Sequence, residues 1–361
     1  MIFALEPEEM GEQVQALGLA RYRGQQIFQA LHQAHAGGWE EITALPTAQR
    51  RRMAEAMPIE WPAIAQRFSS TDGTVRYLLR LADGAEVESV YLPDETFDGA
   101  GESVRKRTTF CLSTQVGCAV NCQFCLTATL GLKRNLTAGE IVAQVLTLLR
   151  EHGLRPGRGL DRVNLVLMGM GEPFLNYDNV LRAISVLTRK EGAGIAARRI
   201  TVSTSGIVDK IKRWGSEPFP RGRPRLAISL NASSDEQRQR LMPLHRGQGG
   251  MAALLAAVRE FPYGSREYLT FEYVLLAGVN DSDEDADRVL ALLAGARGKV
   301  NLIAWNMGPE LPFKTPSDEK VLAFQRRLIA GGMPTYIRRP RGRDIYAACG
   351  QLKREVAHLP T

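Results

Sequence analysis

The sequence predicts an α/β protein whose core is an open, partial barrel of six β–α units, preceded by a small α+β region. From residue 107 onward, apolar strand-like runs alternate with amphipathic helical segments, which is the pattern of a parallel sheet. The first 104 residues lack that alternation and carry helical stretches followed by a hairpin pattern. Six units are too few to close an eight-stranded barrel, so we expect the barrel to be partial.

The accessory region is expected to span residues 1–104. Its helices are predicted near residues 8–17, 25–31 and 50–57. Two alternating strand patterns, 75–81 and 86–92, flank Asp83-Gly84, which is a strong signal for a β-hairpin. A connector over residues 94–104 then leads to the core.

The core is expected to span residues 105–340, and residues 341–361 form a C-terminal tail. A short run at 335–338 is expected at the edge of the sheet. The clearest helix begins at Thr137, which with Glu140 forms a capping box. The six main strand-like runs are 108–113, 163–168, 199–203, 226–230, 269–275 and 300–304.

Composition and charge favour a soluble protein of the cytoplasm. The chain has a formal net charge of +7, and no apolar run reaches the roughly 20 residues of a membrane helix. The acidic N-terminus does not resemble a signal peptide. Basic clusters suit a phosphate backbone, although such runs are also ordinary solvated faces. They lie at residues 50–52, 105–107, 221–225 and 338–343.

Three cysteines, Cys118, Cys122 and Cys125, have C-x3-C-x2-C spacing. Thiolates at this spacing suit one iron–sulfur cluster, and three ligands leave one iron of a four-iron cube open to a substrate. This spacing, with Phe124 before the last cysteine, resembles the signature of radical S-adenosylmethionine (SAM) enzymes. Two alternatives are open. One is a structural zinc site completed by another Cys or His, for example Cys111, and the other is that the three cysteines are buried together by chance.

Polar motifs follow several of the predicted strands. They are residues 169–173, 203–206, 229–231 and 305–306. In parallel α/β folds the carboxyl ends of the strands meet at one edge, where ligands bind. We therefore expect these motifs to surround the cysteine loop.

Four motifs together carry a resemblance to a known family. They are Cys111-Leu-Ser-Thr-Gln-Val-Gly-Cys118, Met168-Gly-Met-Gly-Glu-Pro173, Ser203-Thr-Ser-Gly206 and Asp344-Ile-Tyr-Ala-Ala-Cys349-Gly-Gln-Leu352. The combination resembles the radical SAM adenine-C2 methyltransferases, the RlmN family, over nearly the whole chain. A sister family that methylates adenine at C8 is also similar but commonly has Ala at the position of Pro173.

The resemblance implies a set of roles and partners. The expected cofactors are a [4Fe-4S] cluster on Cys118, Cys122 and Cys125, and SAM. The expected substrates are 23S ribosomal RNA and tRNA. A flavodoxin- or ferredoxin-like protein is expected to donate electrons to the enzyme. The protein is expected to be a monomer without a membrane partner. The residues expected to line the SAM pocket are Gly171, Glu172, Ser203, Ser229, Leu230, Asn231 and Asn306.

The resemblance also implies the chemistry. Cys349 would take a methyl group from one SAM, and a second SAM would give a 5′-deoxyadenosyl radical that activates this methyl group for addition to C2. Cys111 would resolve the resulting adduct by forming a disulfide, and Glu88 is a candidate proton acceptor. A non-catalytic, zinc-stabilised RNA-binding protein and a radical SAM enzyme with a small substrate are the alternatives.

Overall fold

The computed structural model describes residues 1–97, 103–243, 249–308 and 311–352, with no side-chain description at 95–97 and 103–106. Helices and strands alternate along most of this range. The helices are α1 Pro7–Ala16, α2 Arg23–His32, α3 Thr47–Ala56, α4 Ala138–Glu151, α5 Tyr177–Leu187, α6 Val208–Ser216, α7 Asp235–Leu241, α8 Gly250–Arg259, α9 Asp283–Leu292 and α10 Asp318–Ala330. The strands are β1 Ala63–Ser69, β2 Val75–Arg80, β3 Glu86–Phe97, β4 Ser103–Cys111, β5 Gln115–Gly117, β6 Leu132–Asn135, β7 Val163–Leu167, β8 Ile200–Thr204, β9 Arg225–Ser229, β10 Leu269–Leu275, β11 Gly298–Ala304 and β12 Thr335–Ile337.

One ten-stranded sheet organises the molecule, in the order β1-β2-β3-β4-β7-β8-β9-β10-β11-β12. Within this sheet the strands β4, β7, β8, β9, β10, β11 and β12 are parallel, and each of the six predicted core strands is present. Strands β5 and β6 form a separate antiparallel pair. The short strand β12 lies at the edge, as expected. Within the described residues β1 and β12 are the two ends of the sheet, so the prediction of an open α/β barrel is confirmed.

The accessory hairpin extends the core sheet. The predicted hairpin is present as β2 and β3, and β3 then pairs antiparallel with β4, so that Val90 lies opposite Cys111. Hydrogen bonding therefore crosses the predicted domain boundary at residue 104, although residues 98–102 of the predicted connector lie outside the described part. This pairing brings the accessory region to the rim of the barrel, beside the first core strand.

Helix α4 anchors the N-terminus to the barrel. Thr137 and Glu140 form the predicted capping box. All residues from 138 to 149 are buried, because the helix is covered by the sheet on one side and by the first residues of the chain on the other. Phe3 is fully buried in this contact, and Thr137 Oγ1 donates to Met1 Sδ at 3.4 Å. The N-terminal region is thus part of the core packing.

Two buried histidines make the accessory region sensitive to acid. His32 and His35 are 0% and 2% exposed, and none of their ring nitrogens has a hydrogen-bond partner in the described part of the chain. Burial, reinforced by His35, lowers the pKa of His32 to about 3. Burial, reinforced by Arg155 and Arg150, lowers the pKa of His35 to about 4.

We expect these histidines to cost stability below neutral pH. Their folded pKa values lie below the unfolded value of about 6.5, so the unfolded chain binds more protons and stability falls as pH drops from about 6.5 towards 4. Each histidine contributes about 1.4 kcal/mol per pH unit in that window. Urea unfolding at pH 7, 6 and 5 should show a smaller decrease in the free energy of unfolding for His32→Leu than for the wild-type protein. An equal decrease would contradict this assignment.

Candidate active site

A cavity opens at the carboxyl ends of the parallel strands, where the sequence analysis expects the ligand. The cysteine loop after β5 forms one wall, and the ends of β7, β8, β9, β10 and β11 form the others. Of the residues expected at the site, Cys118, Cys122, Cys125, Gly171, Glu172, Ser203, Ser229, Asn231, Asn306 and Cys349 line this cavity.

The cysteine loop turns sharply and is held from two sides. Asn121 has a φ of 56°, which lets the chain turn between Cys118 and Cys122. The indole N–H of Trp305 donates a hydrogen bond to the carbonyl of Phe124, within the loop, at 3.0 Å. Its last part is tied to the C-terminal tail, because the amide of Leu126 donates to Gly350 O at 2.8 Å.

The three thiols fit an iron–sulfur cluster. Burial raises the pKa of Cys118 to about 12 and raises the pKa values of Cys122 and Cys125. The thiol of Cys125 adds to the rise at Cys118, and both Cys125 and Cys118 add to the rise at Cys122. Metal binding would therefore have to displace protons from all three. Over the described ranges, no three Cys, His, Asp or Glu side chains converge on a single-ion site. A cube offers each thiolate its own iron atom, so three separate thiols on one cavity wall suit it.

Gly171 and Glu172 link the loops after β7 and β8. Gly171 has a φ of 102°, and a Cβ there would lie 2.6 Å from the side chain of Gln115. The buried carboxylate of Glu172 accepts from the amides of Phe174 at 2.9 Å and Ser205 at 2.6 Å. Burial raises the pKa of Glu172, and the amide donors oppose the rise. The arrangement places a carboxylate acceptor beside the cysteine loop, where it could receive an ammonium group.

The loop after β9 supplies polar groups from its alternate residues. Ser229 and Asn231 line the cavity, and Asn231 adopts a φ of 53° while its Oδ1 accepts from the amide of Val274 at 2.9 Å. Leu230 points the other way, into the hydrophobic core, and is fully buried. Its carbonyl accepts from Arg238 at 2.5 Å. Leu230 therefore contributes no side-chain contact to the cavity.

Arg238 is a buried cation that the sequence analysis did not identify. It is 3% exposed and donates to the carbonyls of Ser229 at 2.9 Å, Leu230 at 2.5 Å and Ser205 at 2.5 Å. Burial lowers its pKa to about 10, and the nearby thiol of Cys122 opposes the shift. Arg238 thus cross-links the loops after β8 and β9 beneath the cavity.

A second cavity adjoins the first and contains both remaining cysteines. Cys111 at the end of β4 and Cys349 in the tail line it together, and Cys349 lines both cavities. Each of the five cysteines is a free thiol. Asn306 Nδ2 donates to Cys349 O at 3.3 Å, and Thr127 Oγ1 donates to Leu352 O at 2.8 Å. These bonds hold the tail across the mouth of the barrel.

Arg338 lines both cavities beside this pair of thiols. Burial, together with Cys349, raises the pKa of Cys111 to about 12, and Arg338 opposes that shift. The pKa of Arg338 is itself raised, chiefly by Cys349 and further by Glu272, whose carboxylate lies 3.9 Å away. Arg338 therefore favours the thiolate form of Cys111.

The other arginines of the tail have different partners. Sequence analysis grouped residues 338–343 as one basic cluster, but Arg341 donates to Pro93 O at 2.5 Å and lies 3.3 Å from Asp72. Arg343 donates to Asn306 Oδ1 at 2.9 Å, and Arg339 is exposed. The side chains of Arg105 and Lys106, in another of the basic clusters, lie outside the described part.

Glu88 lies away from both cavities. It is fully buried and forms an ion pair with Arg76, which is also fully buried. Ser113 Oγ donates to Glu88 O at 2.6 Å, so β3 is fixed to the segment that follows Cys111. Its carboxylate does not face solvent, and the role of Glu88 as proton acceptor stays a prediction.

Comparisons with known proteins agree with this geometry. The Radical SAM superfamily model matches residues 112–290. The chain is 51% identical, over 94% of its own length and 98% of the relative's, to the probable dual-specificity RNA methyltransferase RlmN of Koribacter versatilis. It is 45% identical, over 96% of its length and 86% of the relative's, to the dual-specificity RNA methyltransferase RlmN 2 of Myxococcus xanthus.

A solved structure has the same fold. A radical SAM methyltransferase from Sphaerobacter thermophilus superimposes with a TM-score of 0.88 at 42% identity, over 98% of this chain and 99% of the other. The similarity therefore includes the accessory region, the barrel and the tail up to the described end of the chain. No helix in the described ranges is long and apolar enough to cross a membrane.

Proposed function

Because the chain belongs to the RlmN family of radical SAM methyltransferases, we propose that it methylates carbon 2 of adenine in RNA, in 23S ribosomal RNA and in tRNA. The observation that carries the proposal is the pair of thiols Cys111 and Cys349, which share a cavity next to the cysteine loop. Direct displacement from SAM needs a nucleophile, and C2 has neither a lone pair nor an acidic proton. A thiol that carries the methyl group, and a second thiol that releases the product, solve this difficulty.

The residues present fit the cofactors. Cys118, Cys122 and Cys125 would hold a [4Fe-4S] cluster, which when bound supplies an electron for reductive cleavage of SAM. Glu172 would accept a hydrogen bond from the ammonium group of SAM, and Ser203, Ser229 and Asn231 would bind its hydroxyl and carboxylate groups. Gly171 leaves room for backbone to approach the ligand closely.

Cys349 first acts as a nucleophile. Its thiolate attacks the methyl group of one SAM, a carbon–sulfur bond forms, and S-adenosylhomocysteine leaves. Arg338 lines the same two cavities as Cys349, so its guanidinium would offset the negative charge of the attacking thiolate. The tail contacts at Asn306 and Thr127 hold the methylated sulfur at the junction of the two cavities.

Cys111 then resolves the adduct. The methyl group on Cys349 would lose one hydrogen atom to the 5′-deoxyadenosyl radical, and the resulting carbon radical would bond to C2. The adduct would return one electron to the oxidised cluster, and a base would accept the C2 proton. Cys111 attacks the sulfur of Cys349, the disulfide forms, and the carbon–sulfur bond breaks to release the methylated base, which takes up a proton. A reductant must then reopen the disulfide, and we propose a flavodoxin- or ferredoxin-like donor for this and for the cluster.

The alternatives explain fewer of these features. A zinc-stabilised RNA-binding protein needs Cys111 as a ligand, yet Cys111 faces the second cavity with Cys349 and Arg338. A radical SAM enzyme with a small substrate does not explain the similarity to RNA methyltransferases over nearly the whole chain. Pro173, which is buried at the start of the turn after Glu172, favours the C2 family over its C8 sister. We further propose that the protein is a monomer, and that it works in the cytoplasm, where the five free thiols stay reduced.

The function is tested by the product. Anaerobically purified protein should be brown, and with SAM and a reductant it should convert an adenine of 23S rRNA or tRNA into 2-methyladenine, identified by nucleoside chromatography and mass spectrometry. A colourless protein that binds RNA without modifying it would support the zinc alternative. An 8-methyladenine product would support the sister family.

A further inference from the structure

A basic groove lies at the end of the barrel opposite to the catalytic cavities. It is defined here as the arginine groove, and it is lined by Arg198, Arg221, Arg223, Arg225 and Arg266, with Tyr263 and Tyr268 beside them and Glu267 as the one carboxylate. The groove is formed where β8, β9 and β10 begin, whereas the cavities lie where these strands end. None of its residues has a role in the chemistry described above.

Two of the arginines form a fixed floor. Arg223 donates to Gly215 O at 2.7 Å and to Glu267 at 2.8 Å. Arg221 donates to Thr188 Oγ1 at 3.0 Å and to Ser185 O at 2.9 Å. These bonds explain why the two side chains are ordered within the fold.

The side chains of the other three arginines are not held by bonds of this kind in the described part of the chain. Arg198, Arg225 and Arg266 are exposed, and none has an ion pair or side-chain hydrogen bond in the described part of the chain. Several like charges in one concave surface repel each other, and they concentrate a positive potential that attracts an anionic partner. The groove therefore suits a ligand that carries several negative charges.

Aromatic side chains extend the same surface. Tyr268 is 39% exposed and Tyr336 is 57% exposed, and Lys299 Nζ lies 5.2 Å and 5.3 Å from the centres of their rings. A cation between exposed rings offers both a phosphate contact and faces on which bases can stack. An acidic protein would complement the positive charge of the groove, but it has no nucleobases to stack on the exposed tyrosine rings.

We propose that the arginine groove binds a segment of RNA remote from the target adenine, through its phosphates and through base stacking on Tyr268. The proposal rests on the proposed function, because the substrate is then an RNA large enough to reach both ends of the barrel. Arg225 and Ser229 are the two ends of β9, so the groove and the cavity open at opposite ends of the barrel, about 13 Å apart through its interior at a rise of about 3.3 Å per residue. An RNA that occupies both must pass around the outside of the barrel. A whole tRNA or a long rRNA fragment is long enough for that path, whereas a short, stiff stem-loop held in the cavity is not.

The test compares a long RNA with a short one. Binding of full-length tRNA and of its isolated anticodon stem-loop is measured without SAM by fluorescence anisotropy at several salt concentrations. The test variant is Arg225→Ala with Arg266→Ala. The control is Lys320→Ala with Arg326→Ala, which removes the same charge from exposed positions of α10.

The salt slope is the slope of the logarithm of the binding constant against the logarithm of the salt concentration. For tRNA, we expect the magnitude of this slope to be smaller by about 1.5 in the test variant than in wild type, since each lost phosphate contact removes about 0.7–0.9. Its slope for the stem-loop, and its methylation of the stem-loop, should match those of the control. Tyr268→Ala should weaken tRNA binding by about tenfold with the salt slope unchanged, because stacking releases no counterions.

Three outcomes would overturn the proposal. The tRNA slope of the test variant could equal that of the control, or both RNAs could lose the same slope, which would indicate a general charge effect. The variant could also bind tRNA normally and lose only its reduction by an acidic electron-transfer protein. Failure of the proposed function is a different result, since wild-type protein would then methylate neither RNA.

Discussion

Cys111→Ala should stop the reaction with the enzyme covalently attached to RNA. Cys349 can still accept a methyl group and add it to C2, but no second thiol remains to attack the sulfur and release the product. Multiple turnover should fall by about 100-fold or more, and an adduct should accumulate to a large fraction of the enzyme. A denaturing gel followed by nuclease digestion and peptide mass analysis should locate the RNA on the peptide that contains Cys349.

The matched control is Cys349→Ala, which should lose activity equally but form no adduct, because it has nothing to carry the methyl group. Both changes delete a single sulfur atom. Cys111 is 8% exposed, so a structural cost of about 1 kcal/mol is expected, which thermal unfolding can verify. Normal turnover by Cys111→Ala, with no adduct, would show that the second thiol has no role.

Cys122→Ala should abolish both iron binding and SAM cleavage. Its thiol lines the cavity wall with those of Cys118 and Cys125, and a cluster with two of three protein ligands loses its attachment. Iron analysis and the visible spectrum after anaerobic reconstitution should show a loss of nearly all cluster. Cys118→Ala and Cys125→Ala should behave in the same way.

Cys111→Ala is the control for this experiment, because Cys111 lines only the second cavity. Its iron content should stay close to that of wild type. Loss of iron from Cys111→Ala would indicate four cysteine ligands, and that result would leave no open iron for SAM and no free thiol to resolve the adduct.

Features set by local sequence were predictable. The capping box of Thr137 and Glu140 fixes the start of α4, and continuous apolar runs mark the buried parallel strands. Strands β1, β5 and β6 were not predicted, because their sequences carry weak local signals. Most residues of β1 are exposed or half-buried at the edge of the sheet, and β5 and β6 are three and four residues long, so none shows a strong periodic pattern.

The directions of the side chains after β9 were not predictable from the sequence. The resemblance assigns Ser229, Leu230 and Asn231 together to the SAM pocket. Strand β9 ends at Ser229 and Asn231 has a φ of 53°, so the alternation of a regular strand does not extend through these residues. Only the folded loop shows that Leu230 lies in the core while Ser229 and Asn231 line the cavity.

The electrostatic partners depend on tertiary structure. Arg76 and Glu88 face each other because Leu78 pairs with Glu88 in the hairpin, which makes Arg76 a diagonal neighbour on the same face. Arg338 lies beside the two thiols because β12 ends at the mouth of the barrel. The charge pattern of residues 338–343 predicts a basic cluster. Only the folded structure shows that Arg338 lies beside the thiols and that the other arginines of the cluster have different surroundings.

The isotopic composition of the product tests the account most directly. SAM with a fully deuterated methyl group is supplied to the enzyme, and the methylated adenine from the RNA is analysed by mass spectrometry. A hydrogen must leave the methyl group on Cys349 before its carbon bonds to C2, so we predict two deuterium atoms in the product methyl group. Three deuterium atoms would show direct transfer of an intact methyl group and would contradict a carrier role for Cys349.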